Sequence, residues 1–447
     1  MNTEELFTRY EEAAKRNPEV FLKAREEAVE QVESSSARYL GKPVDFLYQP
    51  MFLSDEDMEE VKEVLDDLTG ILDKTVRQYR EDEAFREVFP FTEEEEELVL
   101  AYPGYENPYP IGRFDVFLDF EGNLQFCEFN TDGSAGMNEA RVLQEVFKGS
   151  RALDVVPEDY EVSTYSPMEN LMDKILENYR DFPGASKGPE TVAIVDFEGE
   201  GVSSEFREFV RKFRARGHEA MIADPRELKY SSESLSYNDR EIDLVYRRAT
   251  TRKIVDRLDE VRDFTRAYRE GAVPVVGGFS SQIVHNKALF AILQEEDFTG
   301  YLNEEERDFV RDHLPDTYIY DRHGREVRDR LTKHKDEFLL KPFDKFAGHG
   351  VYVGKDMNQK EWEERLEKLA GENYIAQKFC DVPRRDFLYV EGEELSFQEF
   401  GYLIGLYLYN QELGGLYTRV GRENIIASLV ECFTLPTFVV GERTDCS

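Results

Sequence analysis

The feature that most constrains this chain is a stretch of two-residue alternation between positions 111 and 130. Ile111-Gly-Arg-Phe-Asp-Val-Phe-Leu-Asp-Phe sets polar against apolar residues, Glu121-Gly122-Asn123 interrupts the pattern, and Leu-Gln-Phe-Cys-Glu-Phe-Asn resumes it. That period is the signature of a strand with one buried face, and the Gly-bearing break turns two strands into a hairpin. A two-residue turn at Glu121-Gly122 sets Phe120 opposite Asn123, Asp115 opposite Glu128 and Arg113 opposite Asn130, with the last four side chains on one face. Two opposed carboxylates repel each other, and a divalent cation between them reverses the sign of that interaction. Carboxylates with an amide oxygen form a hard donor set of the kind Mg²⁺ takes. An exposed face with ordinary ion pairs is the other reading, and a three-residue turn would shift the register.

The surrounding chain is organised in recognisable blocks. The first ninety or so residues read as helices: Ser54 is an N-cap candidate with acidic residues behind it, and Met58, Val61, Leu65, Leu68, Leu72, Val76 and Tyr79 form a helical stripe. The acidic run Glu94 to Glu97 reads as a solvated helix face, and no chemistry is evident before residue 100. From about residue 190 the pattern is βαβ: strands at Thr191–Asp196, Ala220–Ala223, Ile242–Tyr246 and Val273–Val276, with helices over Ser204–Arg216 and Arg252–Arg269. Strands alternating with helices imply a parallel sheet. The last third is α+β, with strands at Glu337–Lys341, Asn373–Phe379 and through Leu395–Leu408, and a helix over Gln359–Leu369. Boundaries fall near 131–137 and 183–189, where Gly, Ser and Pro cluster.

Composition narrows the function classes. The 94 Asp and Glu outnumber the 56 Lys and Arg, giving a formal charge of −38, which would repel phosphate backbones and anionic membranes. No nucleic-acid or membrane partner is expected. The acid surplus would favour a cationic partner, and it equally serves solubility. Cys127, Cys380, Cys432 and Cys446 lack CxxC spacing, which fits a reducing compartment without zinc. The N-terminus has neither the basic nor the apolar region of a signal peptide, and the most apolar window, Gly401 to Tyr409, is too short to span a bilayer. A cytoplasmic location is expected.

Two lysines stand out downstream of the hairpin. Lys341 ends a strand before a loop containing Gly348 and Gly350, where backbone N–H groups could approach phosphate oxygens; a glycine hairpin without phosphate has the same look, and no Walker motif is present. Lys287 follows Asn286, an N-cap candidate, so its charge opposes the helix dipole unless an anion lies nearby; a solvated surface lysine is the plain alternative. The six histidines show no HExxH pairing, and no GxSxG elbow occurs.

Arg113-x-Asp115, Glu128-x-Asn130, Asn286-Lys287, Lys341 before its Gly loop and Tyr374-Ile-Ala-Gln-Lys-Phe, taken as a set, resemble the glutathionylspermidine synthase family over roughly residues 100 to 440. The resemblance implies an α/β fold: an ATP-grasp core in circularly permuted order, an inserted βαβ substrate domain and a helical N-terminal layer. The implied division is 1–98 helical, 99–188 first core part, 189–284 βαβ domain and 285–447 second core part. Asp115, Glu128 and Asn130 would hold two Mg²⁺ ions, and Arg113 would contact the transferring phosphate. Lys287 and Lys341 would bind the phosphates of ATP under the Gly348–Gly350 loop, with Gln377 at the adenine strand. Arg419, in Gly414-Gly-Leu-Tyr-Thr-Arg, would face the acyl phosphate.

The implied reaction is ATP-dependent ligation of a small carboxylate to an amine. The chain departs from the family in two places. No cysteine amidase motif precedes the hairpin, and Asn130 is followed by Thr-Asp-Gly-Ser-Ala-Gly in place of a Thr-Pro-Thr-Ser run, which puts glutathione in question and makes Ser134 a substrate candidate. Asp196, Glu198 and Glu200 fall in the first βα turn, where the resemblance implies that the amine is read, and are candidates for a cationic amine; a solvated acidic loop is the alternative. A non-catalytic ATP-binding module and an acidic interaction protein are the competing functions.

Overall fold

The computed structural model describes residues 1–119, 121–320, 324–345, 348–427 and 431–443, with backbone alone at 325 and 326. The architecture is the mixed α/β one expected, built around a six-stranded antiparallel sheet. Its organising strand is Glu394–Tyr409: the first half pairs with Arg384–Glu391, and the second half lies between Ile111–Leu118 and Glu412–Gly421. Both faces of that second half are covered, which explains why Gly401 to Tyr409 reads as a continuous apolar run. Asn410 and Gln411, both at positive φ, make the tight turn into the next strand.

The hairpin at 111–130 contains the expected cross-strand pairs, Arg113 with Asn130 and Asp115 with Glu128, but reaches them differently. Next to the turn, Leu118 pairs with Leu124, one residue away from the register of a two-residue turn. The Asp119 carboxylate accepts from the backbone N–H groups of Glu121 and Asn123, and the Asp119 N–H donates to the Asn123 carbonyl, closing a longer loop. Phe120, expected opposite Asn123, lies outside the described residues. A β-bulge between Asp115 and Val116 on one strand, opposite Cys127 on the other, then restores the register at the polar end. The longer loop and the bulge cancel.

A four-stranded parallel sheet runs in the order Val275–Val276, Leu244–Arg247, Thr191–Val195, Glu219–Ala223. Helix Ser203–Ala215 packs on it, whereas the expected helix from Arg252 to Arg269 is two, Thr251–Val255 and Arg262–Arg269. A smaller antiparallel sheet orders Thr317–Ile319, Tyr374–Lys378, Phe338–Pro342 and Tyr352–Val353, and buries Trp362 of helix Gln359–Lys368 in its own core.

The N-terminal region is not purely helical. Strand Met51–Ser54 runs parallel to Thr437–Glu442, which also pairs with Tyr160–Ser163, so the start and end of the chain share a sheet. Helix Asp55–Glu81 follows, with every member of its predicted stripe buried. Ser54 accepts from the Asp57 N–H while Asp57 accepts from the Ser54 N–H, a capping box at the strand-to-helix corner. Among the described residues, no helix is long and apolar enough to cross a membrane. Ser54→Ala removes the acceptor for that first turn and is expected to lower stability by about 1 kcal/mol. A urea titration of the variant against the parent checks it.

Candidate active site

A cavity of about 880 Å³ opens where the three larger sheets meet, and side chains from widely separated segments converge on it. The 111–130 hairpin supplies Arg113, Asp115, Glu128 and Asn130 on the predicted face. Asp115 is 2% exposed and is gripped by Arg113, which donates from Nε to Oδ1 at 2.7 Å and from Nη2 to Oδ2 at 3.1 Å. Arg419 donates to Oδ2 at 2.7 Å from across the sheet, and Asn130 Nδ2 lies 3.3 Å from the same oxygen. A buried carboxylate needs such compensation, and the two guanidiniums supply it.

Glu128 is held by a different set. Lys287 Nζ lies 2.7 Å from its Oε1. Burial alone would raise the Glu128 carboxyl, but the ammonium groups of Lys287 and Lys341 outweigh it and hold it down at about 2. Lys287 is buried rather than a surface lysine. Its Nζ also donates to the Lys345 carbonyl at 2.9 Å, and its backbone N–H donates to the Phe343 carbonyl at 3.0 Å. Asn286 caps the following helix through the Ala288 N–H, so helix Ala288–Ile292 starts one residue later than expected and leaves Lys287 at the turn. Lys341 donates to Gln377 Oε1 at 2.8 Å and to the Cys127 carbonyl at 3.2 Å, tying the smaller sheet to the hairpin bulge.

Gly348 and Gly350 sit at positive φ in the loop beyond Lys341; Phe346 and Ala347 of that loop lie outside the described residues. A Cβ on Gly348 would stand 3.5 Å from Ile425 and 3.6 Å from Ala427, so the loop approaches the opposite lip of the cavity. Asn424 reinforces this closure by donating to Asp356 at 2.7 Å.

Beyond Asn130 the chain is fixed by two buried ion pairs. Arg247 Nη1 lies 2.9 Å from Asp132, and Arg248 Nη2 lies 3.4 Å from Glu205. Glu205 accepts from the Gly136 and Asn138 N–H groups at 3.1 Å each, capping helix Met137–Lys148 from a neighbouring helix. Gly136 is needed here: its φ is +101°, and a Cβ would meet Tyr417 and Tyr407 at 2.9 to 3.0 Å. Among the substrate candidates, Ser134 turns its hydroxyl to the Asn130 carbonyl and its own carbonyl to Arg248, away from the cavity lining. Glu198 is exposed, and Glu200 is paired with Lys253 at 2.5 Å and Arg257 at 2.8 Å. Of the three acids of that turn it is Asp196 that lines the cavity, its carboxyl raised by burial.

The donors at the hairpin suit Mg²⁺ in type: two carboxylates, and an Asn130 amide whose Oδ1 remains to be offered while Nδ2 faces Asp115. Among the described residues, no three His, Cys, Asp or Glu side chains gather around one point, so any ion held here would draw on Asn130 and on water or substrate oxygens. Burial pushes the thiols of Cys127 and Cys380 up, and neither is a ready nucleophile.

The sequence reading missed one wall altogether. Tyr39, Leu40, Pro90, Phe91 and Glu95 line the cavity from the first hundred residues. Glu94 and Glu97 are solvated as expected, but Glu95 is 4% exposed, and burial together with nearby Asp344 pushes its carboxyl up to about 7. The signal was faint: Glu95 is the one acid of the run that shares a helix face with Leu98 and Val99.

Residues 111–418 match the family profile of the circularly permuted ATP-grasp type 2 proteins. Comparison with curated protein sequences gives no match. Among solved structures, a glutathione synthetase-like effector from Globodera pallida in its apo form is similar, at 11% identity and a TM-score of 0.57, covering 94% of this chain and 96% of that one. A putative gamma-glutamylcysteine synthetase from Methylobacillus flagellatus is 12% identical with a TM-score of 0.43, covering 85% of this chain and 87% of its own. The first likeness speaks for the fold.

Two outcomes follow from the buried charges. Glu205→Ala strands Arg248 without its counter-charge and is expected to cost about 3 to 5 kcal/mol in denaturant unfolding. For Glu95, the folded state keeps a proton up to about pH 7 that the unfolded chain loses near 4.5. Stability from this group is therefore full at low pH and is lost as pH rises through that window. Glu95→Gln cannot lose it, so the Tm of the variant relative to the parent should climb between pH 4.5 and 7 and level off above. A parallel trace for both proteins would sink the assignment.

Proposed function

This chain belongs to the circularly permuted ATP-grasp type 2 family, and from that premise we propose that it is an ATP-dependent ligase joining a small carboxylate to an amine through an acyl phosphate. The observation that carries the reading is the meeting of two hairpin carboxylates with Lys287, Lys341, Arg113 and Arg419 in the wall of one cavity. Four cationic side chains from separate segments face two carboxylates, which leaves two positive charges over. The surplus suits a polyphosphate.

In this reading Lys287 and Lys341 neutralise the phosphates of ATP, and Gln377, fixed between Lys341 and Thr317, borders the base. The Gly348–Gly350 loop covers them and keeps water from the reactive intermediate. Arg113 and Arg419, held on Asp115 in the cavity wall, face the phosphoryl group in this reading as it passes to the substrate carboxylate. Asp115, Glu128 and Asn130 would hold Mg²⁺, two ions by the family resemblance, which when bound offsets charge on the transferring phosphoryl group. The amine then attacks the acyl carbon, an amide forms and phosphate leaves. The resemblance to glutathionylspermidine synthases belongs to this proposal, as do small-molecule acid and amine partners.

A nucleotide-binding module without transfer is favoured by one observation: both oxygens of Asp115 are engaged by arginines. Turnover decides between them. Phosphate release from Mg-ATP is measured with pooled amino acids, short peptides and amines, followed by product masses. The ligase requires release that depends on one acid and one amine. Asp115→Asn is expected to lower kcat by about a hundredfold or more, and Lys341→Ala to raise KM for ATP at least about tenfold. ATP binding with no turnover in any mixture would leave the module.

A further inference from the structure

Glu95 comes from outside the segment matched to the family, on helix Glu93–Leu100, yet it forms part of the cavity wall. Its surroundings are unusual for a buried carboxylate. Among the described residues, no lysine or arginine ion-pairs with it, and the Thr92 backbone N–H is the hydrogen-bond donor that faces it. The charged and titratable groups around it are Asp344 on the loop after Lys341, Asp132 on the loop after Asn130, Arg252 on helix Thr251–Val255, and Tyr79 on helix Asp55–Glu81.

Three of these neighbours are committed elsewhere, while the buried Tyr79 hydroxyl has no hydrogen-bond partner among the described residues. Asp344 is held by Gln282 Nε2 at 2.9 Å and lies 3.4 Å from His285, Asp132 is paired with Arg247, and Arg252 reaches Asp256 at 3.0 Å. Asp344 and Asp132 extend the very segments that carry Lys341 and Asn130. Glu95 therefore borders the phosphate-binding side chains on their acidic flank, while Lys287, Lys341, Arg113 and Arg419 define the cationic one.

Resting on the ligase reading above, we propose that Glu95 receives the amine substrate: its carboxylate binds the incoming ammonium and takes a proton from it as the nitrogen attacks the acyl carbon. The step balances. The ammonium gives one proton to Glu95, and the freed lone pair forms the C–N bond. The C–O bond to phosphate breaks with its electron pair, and the second N–H proton leaves with the phosphate. Glu95 returns its proton to solvent when the product departs. A carboxyl that titrates near neutrality is matched to that exchange, and a bound cation would draw it into its charged form. An ammonium also fills the place that, among the described residues, no lysine or arginine takes by an ion pair.

Hydroxylamine separates this role from the rest of the reaction, because it is uncharged at neutral pH and traps acyl phosphates without a base. Wild type and Glu95→Gln are given Mg-ATP and pooled amino acids and short peptides, with either hydroxylamine or primary amines including putrescine. Amide formation by Glu95→Gln should fall by about a hundredfold at pH 7, with hydroxamate formation within about threefold of wild type. Glu95→Asp, which keeps the carboxyl, should recover part of the loss; it also serves as the test if the Gln variant does not fold. Equal loss of hydroxamate and amide, or no loss of either, overturns the role of Glu95 alone. Absence of both products in the wild type overturns the ligase reading, and this role with it.

Discussion

The arrangement depends on one buried carboxylate. Asp115 sits in the middle of the large sheet with almost no access to water, and Arg113 and Arg419 make that burial tolerable. Arg113 belongs to the same strand two residues away, whereas Arg419 arrives from the far end of the chain through the pairing of Glu394–Tyr409 with both neighbours. The charge thus ties the early hairpin to the late strands. A folded chain lacking both guanidiniums would leave a buried charge without a partner, a far greater cost than a lost surface contact.

The same logic extends outward from Asn130. Arg247 and Arg248, adjacent on the parallel sheet, point to different partners. Arg247 meets Asp132, and Arg248 meets Glu205 and the carbonyl of Ser134. The loop between the hairpin and helix Met137–Lys148 is consequently fixed by the parallel sheet, and Glu205 from that layer caps the helix. The two layers also share an apolar core, in which Met137, Ala140, Tyr407 and Tyr417 pack with Val192, Ile194, Phe206 and Tyr246, and the charge pairs add to that junction. Such pairs are demanding in geometry, which suits a junction that must hold a cavity wall in place.

Much of this was legible in the sequence, and the reasons differ by element. Alternation identified the hairpin because one face of it is buried, and the βαβ pattern identified the parallel sheet because both of its faces are covered. The pairing of Asp115 with Glu128 followed from a two-residue turn that is not there: a longer loop and a bulge at Cys127 offset one another, and neither carries a signature in Glu-Gly-Asn or in Phe-Cys-Glu. Glu198 and Glu200 stood out by their place in the turn to which the family resemblance assigns the amine, but Lys253 and Arg257 lie more than fifty positions away and cancel Glu200 only in three dimensions. Ser134 was singled out by its place in a run; its backbone setting turns the hydroxyl inward.

Glu95 shows most clearly why local pattern falls short. In sequence it is one of five consecutive glutamates, and solvation is the right reading for Glu93, Glu94 and Glu97, while Glu96 is half-buried beside Arg86. What sets it apart is tertiary: the helix docks through Leu98 and Val99, and the residue one turn earlier on that face is carried into the cavity with them. Glu95 is also the third residue of a helix capped by Thr92, whose N–H faces its carboxylate, so it helps to close the helix start as well as lining the cavity. A buried carboxylate at the cavity wall with no ion pair among the described residues fits a counter-charge brought by a ligand. The N-terminal layer therefore does more than cover the ligase core. It completes the cavity and brings to it an acid that the matched segment does not contain.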